Sequence, residues 1–239
     1  MRHVFETMGT VASVDGPAEL MPSIEACFEQ FEARFSLYRP DSELRRIASG
    51  DLLLPHASEA LLATYMRAIQ WRDRTNGSFT PHRPDGVIDL NGTVKAEAID
   101  TAGAVFDAAG CTDWTINVGG DILTRRREPI GLVDPHRRDA LLLSVILTGG
   151  RRAMATSGSA ERGDHIWLGG SLGPSVFAQV TVIADDIVTA DVLATAIVAA
   201  GPDGLDDLTE QWPIDVVTVD REGIVLATPG LRSALAPRG

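Results

Sequence analysis

Two oxygen-bearing side chains, Asp191 and Thr195, have the chemical types and the spacing of a metal site. They are four residues apart in a segment that follows a predicted strand and opens a predicted helix, so both oxygens lie on one helix face. A carboxylate and a hydroxyl are hard ligands, which Mg²⁺ accepts alongside water and substrate phosphate. The alternative is an acidic first-turn residue favoured by the helix dipole, followed by a surface threonine. The spacing alone leaves both interpretations open.

A second candidate segment, residues 89–95, reads Asp-Leu-Asn-Gly-Thr-Val-Lys and joins a predicted strand to a predicted helix. Such a connection exposes backbone groups, and Gly92 can adopt a positive φ there. Lys95 could reach a phosphate group at the start of the helix. An ordinary turn built on Asp and Asn explains the same residues equally well.

Two further segments carry polar groups of less specific spacing. Residues 116–121 form a predicted strand that runs into Gly119 and Gly120, which either let a ligand approach or simply make a turn. They match neither the dinucleotide fingerprint nor the P-loop. Residues 155–158 are followed by His165, and a lone histidine is more often structural or solvated than catalytic. The order of residues along the chain assembles no Ser-His-Asp triad.

The charge and composition exclude several classes of function. A formal net charge of −12 repels nucleic acid and anionic lipid, and one short basic run, residues 125–127, does not reverse this. The two cysteines, Cys27 and Cys111, lack the paired spacing of a metal or redox site and are typical of a reducing compartment. No signal-peptide pattern and no apolar run of bilayer length is recognisable, so we expect a cytoplasmic protein without membrane insertion.

Periodicity predicts the elements that must position these groups. Helices are predicted over residues 18–35, 58–74, 95–109 and 189–200, with Asn76-Gly77, Gly110 and Gly201-Pro202 as end signals. Strands are predicted over residues 4–14, 87–90, 114–118, 130–133, 141–147 and 177–184, and a hairpin over 214–219 and 224–228. Because strands and helices do not alternate strictly, the pattern favours an α+β fold, and we expect one domain over residues 1–239.

Taken together and in order, these segments resemble the flavin transferases of the ApbE type, the FAD:protein FMN transferases. The matches span almost the whole chain: Met8-Gly9-Thr10; residues 35–44 (Phe-Ser-Leu-Tyr-Arg-Pro-Asp-Ser-Glu-Leu); Gly77-Ser78-Phe79; residues 89–95 with Asp100; residues 117–121; Thr156-Ser157-Gly158; His165-Ile166; and residues 190–196. Each match alone is weak, whereas eight in the same order are specific.

The resemblance implies an α+β, ApbE-like (T-fold-like) fold with mixed sheets and flanking helices around a flavin cleft. It implies Mg²⁺ held by Asp191, Thr195 and the backbone carbonyl of Gly92. The positions that match FAD-contacting residues of the family are Met8, Tyr38, Ser78, Phe79, Thr80, Asp89, Lys95 and Ile166. His165 matches a histidine suspected of acid/base work.

The implied reaction is the magnesium-dependent transfer of FMN from FAD to a threonine or serine hydroxyl of an acceptor protein, with release of AMP. His165 would accept the hydroxyl proton if it lies within hydrogen-bond reach. The chain departs from the family pattern at Thr80, at Ala96, at Trp167-Leu168 and in a shortened segment, residues 81–88. Two alternatives therefore stand: hydrolysis of FAD to FMN and AMP, and a flavin-binding or interaction protein with impaired catalysis.

Overall fold

Three antiparallel strands form the sheet of the first of two compact units, residues 1–119, in a computed structural model that describes residues 1–158 and 175–235. Strand β1 (Arg2–Thr7) pairs with β2 (Thr10–Asp15), and β2 pairs with β3 (Thr115–Val118). The prediction of one strand over residues 4–14 is therefore wrong, because the chain reverses in its middle.

The reversal is a two-residue turn at Met8 and Gly9, flanked by the facing pair Thr7 and Thr10. Their φ angles are 50° and 72°, and the tightest hairpin turns require positive φ at both central residues. Gly9 adopts this conformation at no steric cost, but Met8 does not, and a methionine is not a recognised turn signal. The alternating pattern therefore conceals the turn.

The helices of the first unit are α1 (Met21–Phe35), α2 (Glu43–Ser49), α3 (Glu59–Arg74) and α4 (Asn91–Ala108). The helices predicted over 18–35 and 58–74 are confirmed, with a 3-10 turn at the start of the former. Helix α2 is not predicted because it is too short to show a periodic apolar stripe. Its caps were readable, since the Ser42 hydroxyl accepts the Arg45 N–H and Gly50 ends the helix with φ 83°.

Helix α4 begins at Asn91, four residues before its predicted start, and the strand predicted over 87–90 is wrong. In place of a strand, Ile88 forms an isolated antiparallel bridge with His82. Residues 81–89 instead close a short loop, in which the Asp89 N–H donates to the Pro81 carbonyl at 2.8 Å. The apolar side chains of 87–90 thus belong to a loop that leads into a helix.

Aromatic and aliphatic side chains of α1 and α4 pack the core of the first unit. Phe106 and Trp114 stack with ring centroids 5.2 Å apart. Ile24, Phe28 and Ile99 are buried as well. The apolar positions that predict α1 are thus its buried face, as expected of an amphipathic helix.

Five strands form the antiparallel sheet of the second compact unit, residues 120–239. Along the sheet they are β4 (Asp121–Thr124), β7 (Ala153–Gly158), β8 (Phe177–Ala184), β9 (Asp215–Asp220) and β10 (Val225–Ala227). Strands β5 (Pro129–Asp134) and β6 (Arg137–Ile146) pair separately. All the strands predicted beyond residue 120 are confirmed. Strands β4 and β7 are not predicted, and the small residues of β7 carry little β-propensity.

Helix α5 (Ile187–Gln211) packs against β7 and β8 and fills much of the second unit's core. It begins two residues before the start predicted at residue 189, and it continues after a break beyond the end predicted at residue 200. Gly201, with φ 74° and ψ −156°, breaks the helical geometry just before Pro202. By length and mean hydropathy, α5 is the one helix within residues 1–158 and 175–235 that could cross a bilayer, and half of its apolar window is buried.

The helices and antiparallel sheets of each unit give an α+β class, as predicted. The single domain over residues 1–239 stays a prediction.

Candidate functional site

Asp191 and Thr195 lie in the second and third turns of α5, not at its start. The helix is capped by Asp186, whose carboxylate accepts the Thr189 N–H at 2.8 Å and the Thr189 hydroxyl at 2.7 Å. Asp191 is 4% exposed. A carboxylate so buried is costly unless hydrogen bonds, an opposite charge or a metal ion compensate it. The alternative of a first-turn acid that interacts with the helix dipole therefore applies to Asp186 rather than to Asp191.

Thr195 is half-buried and contacts a strand rather than open solvent. Its Oγ1 lies 3.1 Å from Oγ of Ser157 on β7. This hydrogen bond joins two segments that the sequence analysis singles out separately, residues 156–158 and residues 190–196. Thr195 is therefore not the surface threonine of the alternative interpretation, because it lies between α5 and β7.

A second polar group lies beside the first, around Thr156, the neighbour of Ser157 on β7. The Thr156 N–H donates to the Asp121 carboxylate at 3.1 Å, and the hydroxyls of Thr156 and Thr181 are 2.9 Å apart. Asp121 is 0% exposed. Gly119 and Gly120, which precede it, have φ of 59° and 95°. These two glycines therefore form a turn, one of the two roles that their sequence allows.

The donors brought together in the second unit fit a hard divalent cation. They are the Asp191 carboxylate and the Thr195 hydroxyl, both of the oxygen class that Mg²⁺ selects. Within residues 1–158 and 175–235 no group of three or more His, Cys, Asp or Glu side chains is arranged to hold a metal ion. A site here would therefore be completed by backbone oxygens, water or substrate oxygens. The metal roles of Asp191, Thr195 and Gly92 stay predictions.

In the first unit, Asp89 and Gly92 shape the start of α4. The Asp89 carboxylate accepts the Asn91 N–H at 2.9 Å, which organises the entry to the helix. Gly92 lies inside the first turn of α4 and does not have the positive φ that the sequence analysis allows. A Cβ at residue 92 would lie 2.7 Å from Cε2 of Phe79, so close packing is what requires a glycine here.

Lys95 lies in the second turn of α4 and is 6% exposed, so its charge is held inside the unit rather than at the helix start. Two residues further on, Glu97 accepts two hydrogen bonds from the Arg67 guanidinium, at 3.1 and 2.7 Å. The side-chain hydrogen bond to Glu97 raises the pKa of Arg67. This ion pair ties α3 to the same end of α4 that carries the predicted phosphate-binding segment.

The remaining predicted FAD contacts of the first unit differ widely in exposure. Tyr38 is 91% exposed, whereas Phe79 is 3% exposed and packs on Gly92. Met8 sits in the β1–β2 turn. Ser78 and Thr80 are half-buried and flank Phe79 on the loop before α4. The structure thus places Ser78, Phe79, Thr80 and Asp89 around the start of α4 and Lys95 in its second turn. Their roles toward FAD stay predictions.

His165 and Ile166, with the neighbouring Trp167, lie outside the described residues. The acid/base role of His165 and the FAD contact of Ile166 stay predictions.

Several polar residues that the structure groups with the candidate site were not assigned a role from the sequence. Ser157 is the clearest, because its hydroxyl pairs with that of Thr195. A polar side chain inside a strand is the signal that could have found it. The Thr156–Thr181 hydroxyl pair is not part of this group, because it lies on the other face of β7. In the first unit, the Tyr65 hydroxyl lies 2.9 Å from Nε2 of His82, which anchors the shortened loop.

Comparison with known proteins identifies the chain's relatives. A model of the ApbE family matches residues 82–218. An ApbE protein from Thermotoga maritima is 20% identical, with a TM-score of 0.81 over 99% of both chains. The flavin transferase ApbE from Vibrio cholerae is 20% identical, with a TM-score of 0.77 over 98% of this chain and 99% of that chain. The flavinyl transferase ApbE from Pseudomonas stutzeri, in its apo form, is 19% identical, with a TM-score of 0.75 over 99% of this chain and 97% of that chain.

These structural likenesses confirm the predicted ApbE-like α+β fold. No curated protein sequence matches this chain significantly.

Proposed function

The chain belongs to the ApbE family, and on that premise we propose that it transfers FMN from FAD to a threonine or serine hydroxyl of an acceptor protein. Mg²⁺ would be required and AMP would be released. The oxygen of the acceptor hydroxyl attacks the phosphorus of the FMN phosphate. The bond from that phosphorus to the bridging oxygen breaks, and AMP leaves with that oxygen. The proton of the hydroxyl passes to a base.

One observation carries the metal part of the proposal: Asp191 is buried in the interior turns of α5, one turn before Thr195. A carboxylate this buried, with a hydroxyl one turn later on the same helix face, is more typical of a functional site than of a solvated surface. Mg²⁺ bound here would neutralise charge on the diphosphate oxygens as the phosphoanhydride breaks. Asp191 and Thr195 would hold the ion, and Gly92 would contribute its carbonyl.

The segment at the start of α4 supports the binding of an anionic substrate. The N-terminal end of a helix dipole favours an anion, and Lys95 adds a positive charge in the second turn of α4. Met8, Tyr38, Ser78, Phe79, Thr80, Asp89 and Ile166 are the proposed FAD contacts. His165 is the proposed base.

The proposed partner is an acceptor protein with a threonine or serine at its modification site, and we propose that the reaction takes place in the cytoplasm. Cys27 and Cys111 are both free thiols, which is the chemistry of a reducing compartment. The net charge of −12 disfavours nucleic acid and anionic lipid as partners.

Mass spectrometry of a threonine-bearing acceptor peptide, incubated with FAD, Mg²⁺ and this protein, tests the proposal. We expect the peptide to gain one FMN group and AMP to appear in equal amount, with both products lost when EDTA removes the metal. Asp191→Asn should lower transfer at least about 100-fold, because it neutralises a metal ligand while keeping its volume. Asp186→Asn is the matched control. It removes a carboxylate from the same helix but keeps a good N-cap, so it should transfer normally.

The products separate the alternatives. Free FMN and AMP with an unmodified peptide would identify an FAD pyrophosphatase instead. Binding of FAD without any product would identify a flavin-binding protein with impaired catalysis. If FAD does not bind with or without Mg²⁺, both enzymatic functions are rejected.

A further inference from the structure

Two helical threonines of this protein, Thr101 and Thr209, turn their hydroxyls back onto their own helix. Thr101 and Thr209 each donate to the carbonyl oxygen four residues earlier, both at 2.8 Å. This is the usual bond of a threonine inside a helix, and it is one of the two χ1 rotamers that such a threonine adopts. Thr195 differs, because its hydroxyl pairs with Ser157 on a neighbouring strand at 3.1 Å.

The strand register fixes the position of Ser157. On β7, Ser157 pairs with Val180 of β8, and the preceding Thr156 pairs with Thr181. Because side chains alternate along a strand, Thr156 and Ser157 lie on opposite faces of the sheet. Thr156 meets the hydroxyl of Thr181, whereas Ser157 meets α5. The ladder therefore holds a hydroxyl against the one helical turn that carries the proposed metal ligands.

We propose that Ser157 is a positioning residue for the metal site, and this inference rests on the proposed function. Its hydroxyl holds Thr195 in the rotamer that directs Oγ1 away from the carbonyl of Asp191 and from the rest of its own helix. When Thr195 donates its proton to Ser157, both lone pairs of Thr195 Oγ1 are left for a cation. Ser157 thus acts on the metal through Thr195 and not as a ligand itself.

Removal of the Ser157 hydroxyl has two expected consequences. In Ser157→Ala, Thr195 gains access to the rotamer that bonds its own helix, so its χ1 becomes mixed. The affinity for a divalent cation falls about 10-fold, at the lower end of the effect of removing a group that orients a metal ligand. Ser157→Thr keeps the hydroxyl and should restore both properties.

The test uses Mn²⁺, a spectroscopic substitute for Mg²⁺, titrated into the full-length protein without FAD and followed by electron paramagnetic resonance. Three-bond scalar couplings of Thr195 in the metal-free protein report its χ1 independently. Thr195→Ala and the Ser157→Ala/Thr195→Ala double variant complete a cycle, in which loss of Ser157 should cost nothing further once Thr195 is gone. Thr181→Val is the matched control, because it breaks the other hydroxyl pair of the same strands and should leave Mn²⁺ affinity unchanged.

The outcomes distinguish this inference from the function on which it rests. If Ser157→Ala keeps both the Mn²⁺ affinity and the Thr195 rotamer of the unmodified protein, the inference is wrong while the metal site stands. If the loss persists in the Thr195→Ala background, Ser157 binds the metal directly and the positioning role is rejected. If the unmodified protein binds neither Mn²⁺ nor Mg²⁺, the metal site fails and the inference fails with it. Should Ser157→Ala not fold, the nearly isosteric Ser157→Cys serves in its place.

Discussion

A single methyl group added at residue 92 would test whether close packing fixes the start of α4. In Gly92→Ala, the new Cβ would lie 2.7 Å from Cε2 and 3.4 Å from Cζ of the Phe79 ring. Carbon atoms in favourable contact are about 3.5 to 4.0 Å apart, so the ring or the helix must move by nearly 1 Å. Phe79 is 3% exposed, and its surroundings therefore resist that movement.

The magnitude follows from two opposed effects. Overpacking a buried site costs about 1–3 kcal/mol. Alanine favours a helix over glycine by up to about 1 kcal/mol, and by less in the first turn. We therefore expect Gly92→Ala to lower the free energy of unfolding by about 1–2 kcal/mol. In a Phe79→Leu background the same change should be neutral or stabilising, because leucine lacks the Cε2 and Cζ atoms that make the contact.

Urea denaturation of the four proteins in this cycle measures the coupling directly. We expect a coupling energy of about 1–3 kcal/mol between residues 79 and 92, with unchanged m-values. If Gly92→Ala is harmless in the unmodified protein, or equally costly with leucine at residue 79, then contact with Phe79 is not the reason for the glycine.

Three further predictions follow from ionisable groups. Arg67→Met should lower the free energy of unfolding by about 1–2 kcal/mol in urea, because it leaves the largely buried carboxylate of Glu97 without two hydrogen bonds. The Glu97→Gln/Arg67→Met double variant should recover part of that loss. The backbone N–H of His136 and the Arg137 guanidinium lower the pKa of Asp134, so its contribution to stability is complete above the ordinary value of 3.8 and is lost as the pH falls further. The difference in thermal midpoint between the unmodified protein and Asp134→Asn should therefore shrink below about pH 4, and a constant difference would contradict this. Burial raises the pKa of the Cys27 thiol, so at pH 8 we expect iodoacetamide to label it more slowly than a cysteine in a short peptide, as followed by peptide mass mapping.

Most elements with a strong period were predictable from the sequence because their residues also carry local end signals. Helix α3 shows this best, since Ser58 caps its start and Asn76 and Gly77 adopt positive φ after its end. Strand β8, predicted over 177–184, is confirmed to the residue. These elements depend on apolar periodicity and capping, which are properties of neighbouring residues.

The errors lie where tertiary contacts override the local pattern. Residues 87–90 are apolar enough for a strand, but among residues 1–158 and 175–235 their one β pairing is the isolated bridge between Ile88 and His82. Strand β7 is the opposite case, because its small residues have low β-propensity yet pair on both sides with β4 and β8. Strand formation depends on hydrogen-bond partners that are distant in the chain, and a single sequence does not specify them.

Residue types and short intervals were enough to predict the α+β class, the ApbE resemblance and the shared helix face of Asp191 and Thr195. These follow from residue types and from intervals of a few residues, which the helix repeat converts into geometry. Three facts come from the folded molecule instead: Asp191 is buried, the Ser157 hydroxyl contacts that of Thr195, and the Phe79 ring leaves room for no side chain at Gly92. Those facts depend on how a strand, a helix and a loop pack together, and packing is set by contacts among residues far apart in the chain.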